Sequence, residues 1–306
     1  MSGVFVTGAT GTVGSAVVAE LAARGEHAVA GVRDAACAAG FPAGVEARSF
    51  VFGMDRIQLE AGLAGTDRLF LMRPPAIADV ESMLFPVIDV ARSVGIRQVV
   101  FLSLQGVQVN RATPHHAVEA YLRRTDAPYT FLRPNFFMQN LSTTYADQIR
   151  DTGEIVVPAG RSRTAFIDAR DVGKVAAAVF TSPGHLRRAY TLSGETSLTY
   201  ADVARTMTSV LGRPVRYTRP SEAAYLAMLA AGGAPQDYLA VQRMIYRVVR
   251  LNVSALPNHK VRQLTGEPAT TFEEFVRDHR TVWEPQSPHR EGLRLVGEES
   301  GGRVGL

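Results

Sequence analysis

"VFVTGATGTVGSAVVAELAARG" (residues 4–25) decides the fold. A short apolar run gives way to glycines at positions 8, 11 and 14. Beyond them, Val13, Val17, Val18 and Leu21 recur at helical spacing. Strand, glycine turn and helix therefore follow one another without a linker, the context in which G-x-x-G-x-x-G reads as a dinucleotide-binding turn. The first glycine lets the chain turn sharply out of the strand. The second lets the backbone approach a pyrophosphate, and the third lets the helix start pack closely. The free N–H groups at the helix N-terminus favour negative charge there. Thr7, Thr10 and Thr12 add hydroxyls to the same turn.

The alternation continues outward. Strands are predicted over 27–33, 44–50, 67–72, 98–103 and 129–133. Helices are predicted over 56–65, 80–95 (irregular at Pro86) and 115–125. Short Val-, Phe- and Leu-rich strands separated by helices predict a parallel sheet covered on both faces, a doubly wound Rossmann α/β fold. Residues 1–134 form the expected NAD(P)-binding domain. Beyond it, 136–150 reads as a helix, 163–183 as strand then helix, 188–194 as a strand, 199–212 as a helix ended by Gly212, and 220–250 as mostly helical. A last helix, 270–283, opens on the capping-box pair Thr271 and Glu274. Residues 135–284 are expected to complete the sheet and form a smaller, mostly helical substrate-binding cap. The Gly-, Glu- and Pro-rich stretch 285–306 is expected to be a flexible tail.

Composition excludes several classes. No apolar run reaches the roughly 18 residues of a membrane span, and the first residues lack the basic and apolar regions of a secretory leader. A cytoplasmic protein with no membrane partner is expected. The single cysteine, Cys37, rules out an internal disulfide and is read as a loop residue. The net charge of +4 comes from dispersed arginines, with no basic block and no zinc-finger spacing, so no nucleic acid is expected. No cluster has metal-ligand spacing, and no metal is expected.

The nucleotide is chosen at the end of the second strand, where Arg33 and Asp34 stand side by side. An acid there would bind the ribose 2′-OH and an arginine the 2′-phosphate. Arg33 comes directly off the strand, which favours NADP over NAD.

Segments far from the glycine turn add a resemblance. They are "LEAGLAGTDRLFLMRPP" (59–75), "VVFLS" (99–103), "HAVEAYLRRTDAPYTFLRPNFFMQN" (116–140), "FIDARDVGKVAAAVF" (166–180), "YTLSGETSLTYADVARTMTSVLGRPVRY" (190–217) and "TFEEFVRDH" (271–279). Together they resemble the NmrA-like branch of the atypical short-chain dehydrogenase/reductases. That branch includes NADPH-dependent quinone oxidoreductases, azo- and isoflavone-type reductases, and regulators that bind the cofactor without turning it over. The resemblance implies that Thr7, Gly8, Thr10, Gly11, Thr12, Val13 and Gly14 hold the pyrophosphate and that Arg33 holds the adenosine end. It implies Asp55 as a displaced acid beside adenine, with Gly53 an empty slot. Leu71, Met72 and Arg73 would line the cofactor, Ser103 would sit by the nicotinamide ribose, and Pro134, Asn135 and Phe136 would flank the ring.

The usual catalytic pair of such enzymes is Tyr-x-x-x-Lys. Lys174 and Lys260 are the only lysines, and Arg170 and Leu256 stand four residues before them, so the pair is absent. In the matching helix the lysine slot holds His115 and the tyrosine slot Arg111. His115, Ser103 and Asn135 are the catalytic candidates, His115 because an imidazole can serve as acid or ribose partner. Phe136, Phe137, Met138, Tyr225 and Tyr238 are the expected substrate pocket, suited to a small, planar, apolar aromatic molecule. The leading expectation is an NADPH-dependent reductase of a quinone, enone or polycyclic aromatic ketone, serving secondary metabolism. A redox sensor acting through a protein partner and a redox-neutral isomerase or dehydratase are the alternatives. Assembly stays open, a homodimer included.

Overall fold

A computed structural model describes residues 2–34 and 40–285. Cys37 and the stretch from 286 onward lie outside the described residues. The first part runs β1 (Val4–Val6), α1 (Thr12–Ala23), β2 (Ala28–Val32), β3 (Glu46–Ser49), α2 (Arg56–Leu63), β4 (Arg68–Met72), α3 (Val80–Met83), α4 (Phe85–Ser93), β5 (Gln98–Leu102), α5 (Pro114–Arg124) and β6 (Tyr129–Pro134). The second part runs α6 (Ala146–Thr152), β7 (Glu154–Ile155), β8 (Arg163–Thr164), α7 (Ala169–Thr181), β9 (Arg188–Leu192), β10 (Leu198–Thr199), α8 (Tyr200–Leu211), β11 (Arg216–Tyr217), α9 (Glu222–Ala231), α10 (Gln236–Arg250), α11 (Lys260–Thr265) and α12 (Phe272–Asp278).

The main sheet has the order β3-β2-β1-β4-β5-β6-β9, and every pairing in it is parallel. This is the Rossmann order extended by one strand. The order reverses between β1 and β4, so a crevice opens at the carboxyl ends of these two strands. The buried strands alternate their side chains between two cores. Val4 and Val6 pack with Val13, Val17 and Leu21 of α1 and Val172, Val175 and Val179 of α7. Phe5, Leu69, Leu71, Phe101 and Phe131 pack under α2, α4 and α5. Each of these side chains contributes about 1.5–3 kcal/mol by leaving water. A third core gathers Met138, Tyr225, Tyr246, Phe275 and Trp283 in the C-terminal part.

The expected strands and helices are found within a few residues of their predicted ends. The irregularity expected at Pro86 is a break at Leu84, after which the proline starts α4 in the first turn, where its missing N–H costs nothing. Thr271 and Glu274 form the capping box of α12. The segment 136–150 is the exception, because only 146–152 is α-helical. Met138 N–H donates to Ile167 O (2.9 Å) and Ile167 N–H to Phe136 O (2.9 Å). That pairing draws the first residues into an extended path, followed by a single 3₁₀ turn over Met138–Leu141.

Gly14 sets how closely α1 sits on the turn. A Cβ there would lie 2.1 Å from Gly8 O and 2.7 Å from Gly8 C, both backbone atoms that cannot swing away. At Gly11 the nearest atom would be Gly8 O at 3.2 Å. Gly14→Ala is therefore expected to cost about 1–3 kcal/mol as an overpacking change, while Gly11→Ala costs clearly less. Thermal unfolding of both variants checks this, and equal losses would show that crowding at Gly14 is not what matters.

Candidate functional site

The turn after β1 is shaped as a cradle. Gly8 has φ +62°, and a Cβ on it would strike Met72 Sδ at 2.4 Å. Gly11 N–H donates to Gly8 O (2.9 Å), which closes the turn. Gly11 is also the N-cap of α1 and brings no side chain to bond the first N–H groups. By contrast α5, α7 and α8 close theirs with Thr113, Asp168 and Thr199. The open donors of α1 thus point from the switch point of the sheet, where an anion is favoured. Thr10 and Thr12 are exposed on the turn, and Val13 is buried behind it. Thr7 is buried and engaged within the sheet. Its hydroxyl donates to Phe70 O (3.1 Å) and accepts from Met72 N–H (2.9 Å), stitching β1 to β4.

Arg33 and Asp34 follow β2 and are both exposed, at the place that selects the nucleotide. Asp55 is engaged at the start of α2. It accepts from Gln58 N–H (2.9 Å), and its own N–H donates to Gln58 Oε1 (3.2 Å). Gly53 is a backbone requirement, with φ +92°. Of the three residues after β4, Leu71 is turned fully into the core under α2 and α4. Met72 touches the cradle.

Arg73 starts the loop beyond β4. One of its guanidinium nitrogens, Nη1, donates to the carbonyls of Pro74 (3.1 Å), Pro75 (3.1 Å) and Ile77 (2.5 Å), while its buried Nε has no partner. Ser103 Oγ, after β5, is buried and unpartnered, and so is Gln105 Oε1 two residues on. Among the described residues five buried side-chain polar atoms lack partners, and three of them stand after β4 and β5. Buried polar atoms are normally satisfied. These three unpartnered atoms stand after β4 and β5, the two strands that follow β1 in the sheet order.

His115 lies in the first turn of α5, after Pro114, and its ring is 6.1 Å from that of Phe101. Burial, aided by the positive charge of Arg73, pushes its pKa down to about 4. At neutral pH it is therefore an uncharged imidazole. His116 faces another way and bonds Val107 O (3.1 Å). One turn along α5, the buried Glu119 carboxylate takes two bonds from Arg133 (2.9 and 2.6 Å) and one from Arg123 (2.8 Å). Burial opposes the Glu119 charge, but these guanidinium groups hold it below the usual carboxylate range. Ser103 is close enough to add to that field without reaching hydrogen-bond geometry.

Pro134 ends β6 and is buried. Asn135 follows it, and both ends of its amide are engaged. Nδ2 donates to Ser254 O (2.9 Å) and Oδ1 accepts from Phe136 N–H (2.8 Å). Phe136 and Phe137 are half-buried and pack into different cores, Phe136 into the C-terminal one and Phe137 against the α1–α7 side. Tyr225 is buried and donates to Gln242 Oε1 (3.0 Å), so it belongs to the C-terminal core, whereas Tyr238 is exposed on α10. Met138 lines a cavity of about 580 Å³ between Arg170 and Lys174 of α7 and the loop before α12. No other expected site residue lines it, and its cations are paired, Arg170 with Asp168 and Lys174 with Glu267. The unpartnered Arg73, Ser103 and Gln105 do not line this cavity.

Gln105, Glu119 and Arg133 went unnoticed in sequence. Arg133 left a trace, because a charge inside an otherwise apolar strand of a covered parallel sheet requires a buried partner. Gln105 left none. Among the described residues no group of His, Cys, Asp and Glu could hold a metal ion, and no helix is long and apolar enough to cross a membrane.

Fold and cradle define a dinucleotide-binding α/β protein. Residues 1–276 match the NmrA-like family, and the chain belongs to it. It is 33% identical over 287 residues to the NAD(P)H azoreductase of Xenophilus azovorans, covering 92% of this chain and 99% of that one. It is 32% identical over 290 residues to a (4-alkanoyl-5-oxo-2,5-dihydrofuran-3-yl)methyl phosphate reductase of Streptomyces griseus, covering 92% and 100%. A crystal structure of an NADPH-dependent quinone oxidoreductase of Escherichia coli complexed with NADPH superposes with a TM-score of 0.81 at 26% identity, over 90% of this chain and 99% of that one.

The lowered His115 pKa has a consequence for stability. The unfolded chain holds the imidazole proton more tightly than the folded one. Stability is therefore fully present above pH 6.5 and falls as the pH drops toward about 4. His115→Gln is expected to flatten the stability curve across that window. Urea unfolding of both proteins at several pH values measures it, and parallel curves would place His115 in open solvent.

Proposed function

We propose that the protein is an NADPH-dependent reductase of a planar apolar acceptor, such as a quinone, an enone or a polycyclic aromatic ketone, working by direct hydride transfer without a Tyr-Lys pair. The observation that carries this reading is the row of unpartnered atoms, Arg73 Nε, Ser103 Oγ and Gln105 Oε1, beside the glycine cradle. An oxidoreductase of this family needs a nucleotide site and an adjoining acceptor site, and these atoms would supply bonding at the carboxyl edge. The azoreductase and quinone oxidoreductase relatives support the same class of reaction.

The residues fit the cofactor. The uncapped N–H groups of α1 would hold the pyrophosphate, and a side chain at Gly8 or Gly14 would fill the space they frame. Arg33 would pair with the 2′-phosphate, which favours NADPH. Ser103 and the neutral His115 would offer hydrogen bonds to the nicotinamide ribose, and burial, aided by Arg73, keeps His115 uncharged. NADPH, when bound, supplies the hydride. An acceptor such as a quinone spreads the arriving negative charge over its conjugated system, so no strong acid is needed beside it. The hydride brings two electrons and one proton, and solvent would give the second proton of the hydroquinone. Residues 135–284 would close the far side of the cleft as the substrate-binding cap.

Purified protein is expected to oxidise NADPH in the presence of a naphthoquinone, and the NADH rate should be lower. Silence with quinones, azo dyes, enones and aromatic ketones alike, while calorimetry still detects NADPH binding, would sink the reductase reading. Arg33→Ala should weaken NADPH binding about tenfold or more, the effect of losing one charge-assisted pair, and leave NADH binding nearly unchanged. Equal weakening of both nucleotides would move Arg33 away from the 2′-phosphate.

A further inference from the structure

The segment after α10 does not leave the sheet. Asn252, at φ +55°, turns the chain, and residues 252–258 then lie across the carboxyl ends of three strands. After β5, Gln105 Nε2 donates to Val253 O (3.0 Å). After β6, Asn135 Nδ2 donates to Ser254 O (2.9 Å), which also accepts Ala165 N–H (2.8 Å). At β9, Asn258 N–H donates to Ser193 Oγ (2.9 Å) and Asn258 Nδ2 to Thr191 O (3.2 Å). Arg163 N–H donates to Asn252 Oδ1 (2.9 Å). The main chain is thus pinned at both ends and in the middle, and Ser254 is buried.

The side chains beside these pins are of the opposite character. Val253 is 42% exposed and Leu256 76%, and Val109, in the loop that follows Gln105, is 81% exposed. Single exposed apolar residues are ordinary. Here the backbone is anchored through polar groups while apolar side chains are left uncovered, at the same edge as three orphaned polar atoms. Gln105 joins the two features. Its amide nitrogen holds the strap, and its Oε1 is one of those orphans.

We propose that residues 252–258 form the acceptor-side wall of the cleft, that Val253 and Leu256 determine which planar apolar acceptors it admits, and that Gln105 is the positioning residue that holds this wall against the end of β5. The inference rests on the reductase reading and goes beyond it by assigning specificity to a segment outside the Rossmann core. The wall supplies apolar contact to a flat acceptor, and the orphaned Gln105 Oε1 accepts a hydrogen bond from whichever ligand group carries a donor. The nucleotide cradle, on β1 and α1, is independent of the strap.

The test has two readouts on the full chain. Val253→Ser and Leu256→Ser are expected to raise KM for 2-methyl-1,4-naphthoquinone about fivefold or more, with little change in kcat and none in the NADPH dissociation constant. Gln105→Ala should do the same, and Gln105→Asn should restore part of the loss. The second readout is hydrogen exchange in protein loaded with NADP⁺, where no turnover can occur. Adding the naphthoquinone should slow exchange over 252–258, and Gln105→Ala should abolish that slowing. Turnover by the wild type with unchanged KM in the serine variants and no protection of the strap would overturn the proposal while leaving the reductase reading intact. Protection without turnover of any acceptor would overturn the reductase reading and leave the strap as a binding wall. Neither turnover nor protection would overturn both.

Discussion

Helix α1 can begin where it does only because Gly14 lies against the carbonyl of Gly8. That contact, too close for any side chain, aims the open end of the helix at the point where the sheet reverses its strand order. The rest of the cleft is arranged around it. Thr7 locks β1 to β4 beneath the turn, Met72 fills the space that Gly8 leaves open, and Arg73 and Ser103 come off the neighbouring strands within the same edge. An anion at this point gains from main-chain donors that need no reorganisation, since they are fixed by the packing of α1 on α7 and the sheet.

Charge is handled differently on the two sides of β5. On the α5 side, Glu119 and the guanidinium groups of Arg133 and Arg123 satisfy one another, a buried arrangement in which removing one partner would strand the other. Toward the cradle, Arg73 and Gln105 each keep one polar atom unsatisfied, while Ser103, unpaired by geometry, also adds to the field on Glu119. The first set is closed and structural. The second is left open. His115 stands between them, uncharged because Arg73 and burial both oppose a second positive charge. An imidazole in that state can orient a hydroxyl, but it cannot act as a strong acid near neutrality.

The Rossmann order, the cradle glycines and the caps of α8 and α12 were legible in sequence because each is local. A glycine triplet, an alternating pattern or a Thr271–Glu274 pair needs only near neighbours to act. Asn135 and Thr7 make hydrogen bonds that sequence could not show, because their partners, Ser254 and Phe70, are distant in the chain. The helix expected over 136–150 was mistaken for the same reason, since Ile167 draws Phe136 and Met138 into an extended path. Tyr225 joins the C-terminal core and Met138 lines the cavity beside α7, a difference that an apolar residue in sequence does not reveal.

The sequence by itself determined the class of fold, the nucleotide cradle, the position of Arg33 and the absence of a Tyr-x-x-x-Lys pair. These follow from residue types at fixed short spacings. Only the tertiary structure decided which polar groups are spent and which remain available, and that residues 252–258 return to the active edge. The return of 252–258 to the carboxyl ends of the strands, like the pairing of those polar groups, depends on contacts across long stretches of chain, as between Gln105 and Val253. Such contacts are set by how α7, α10 and the sheet pack together, and no local pattern encodes them.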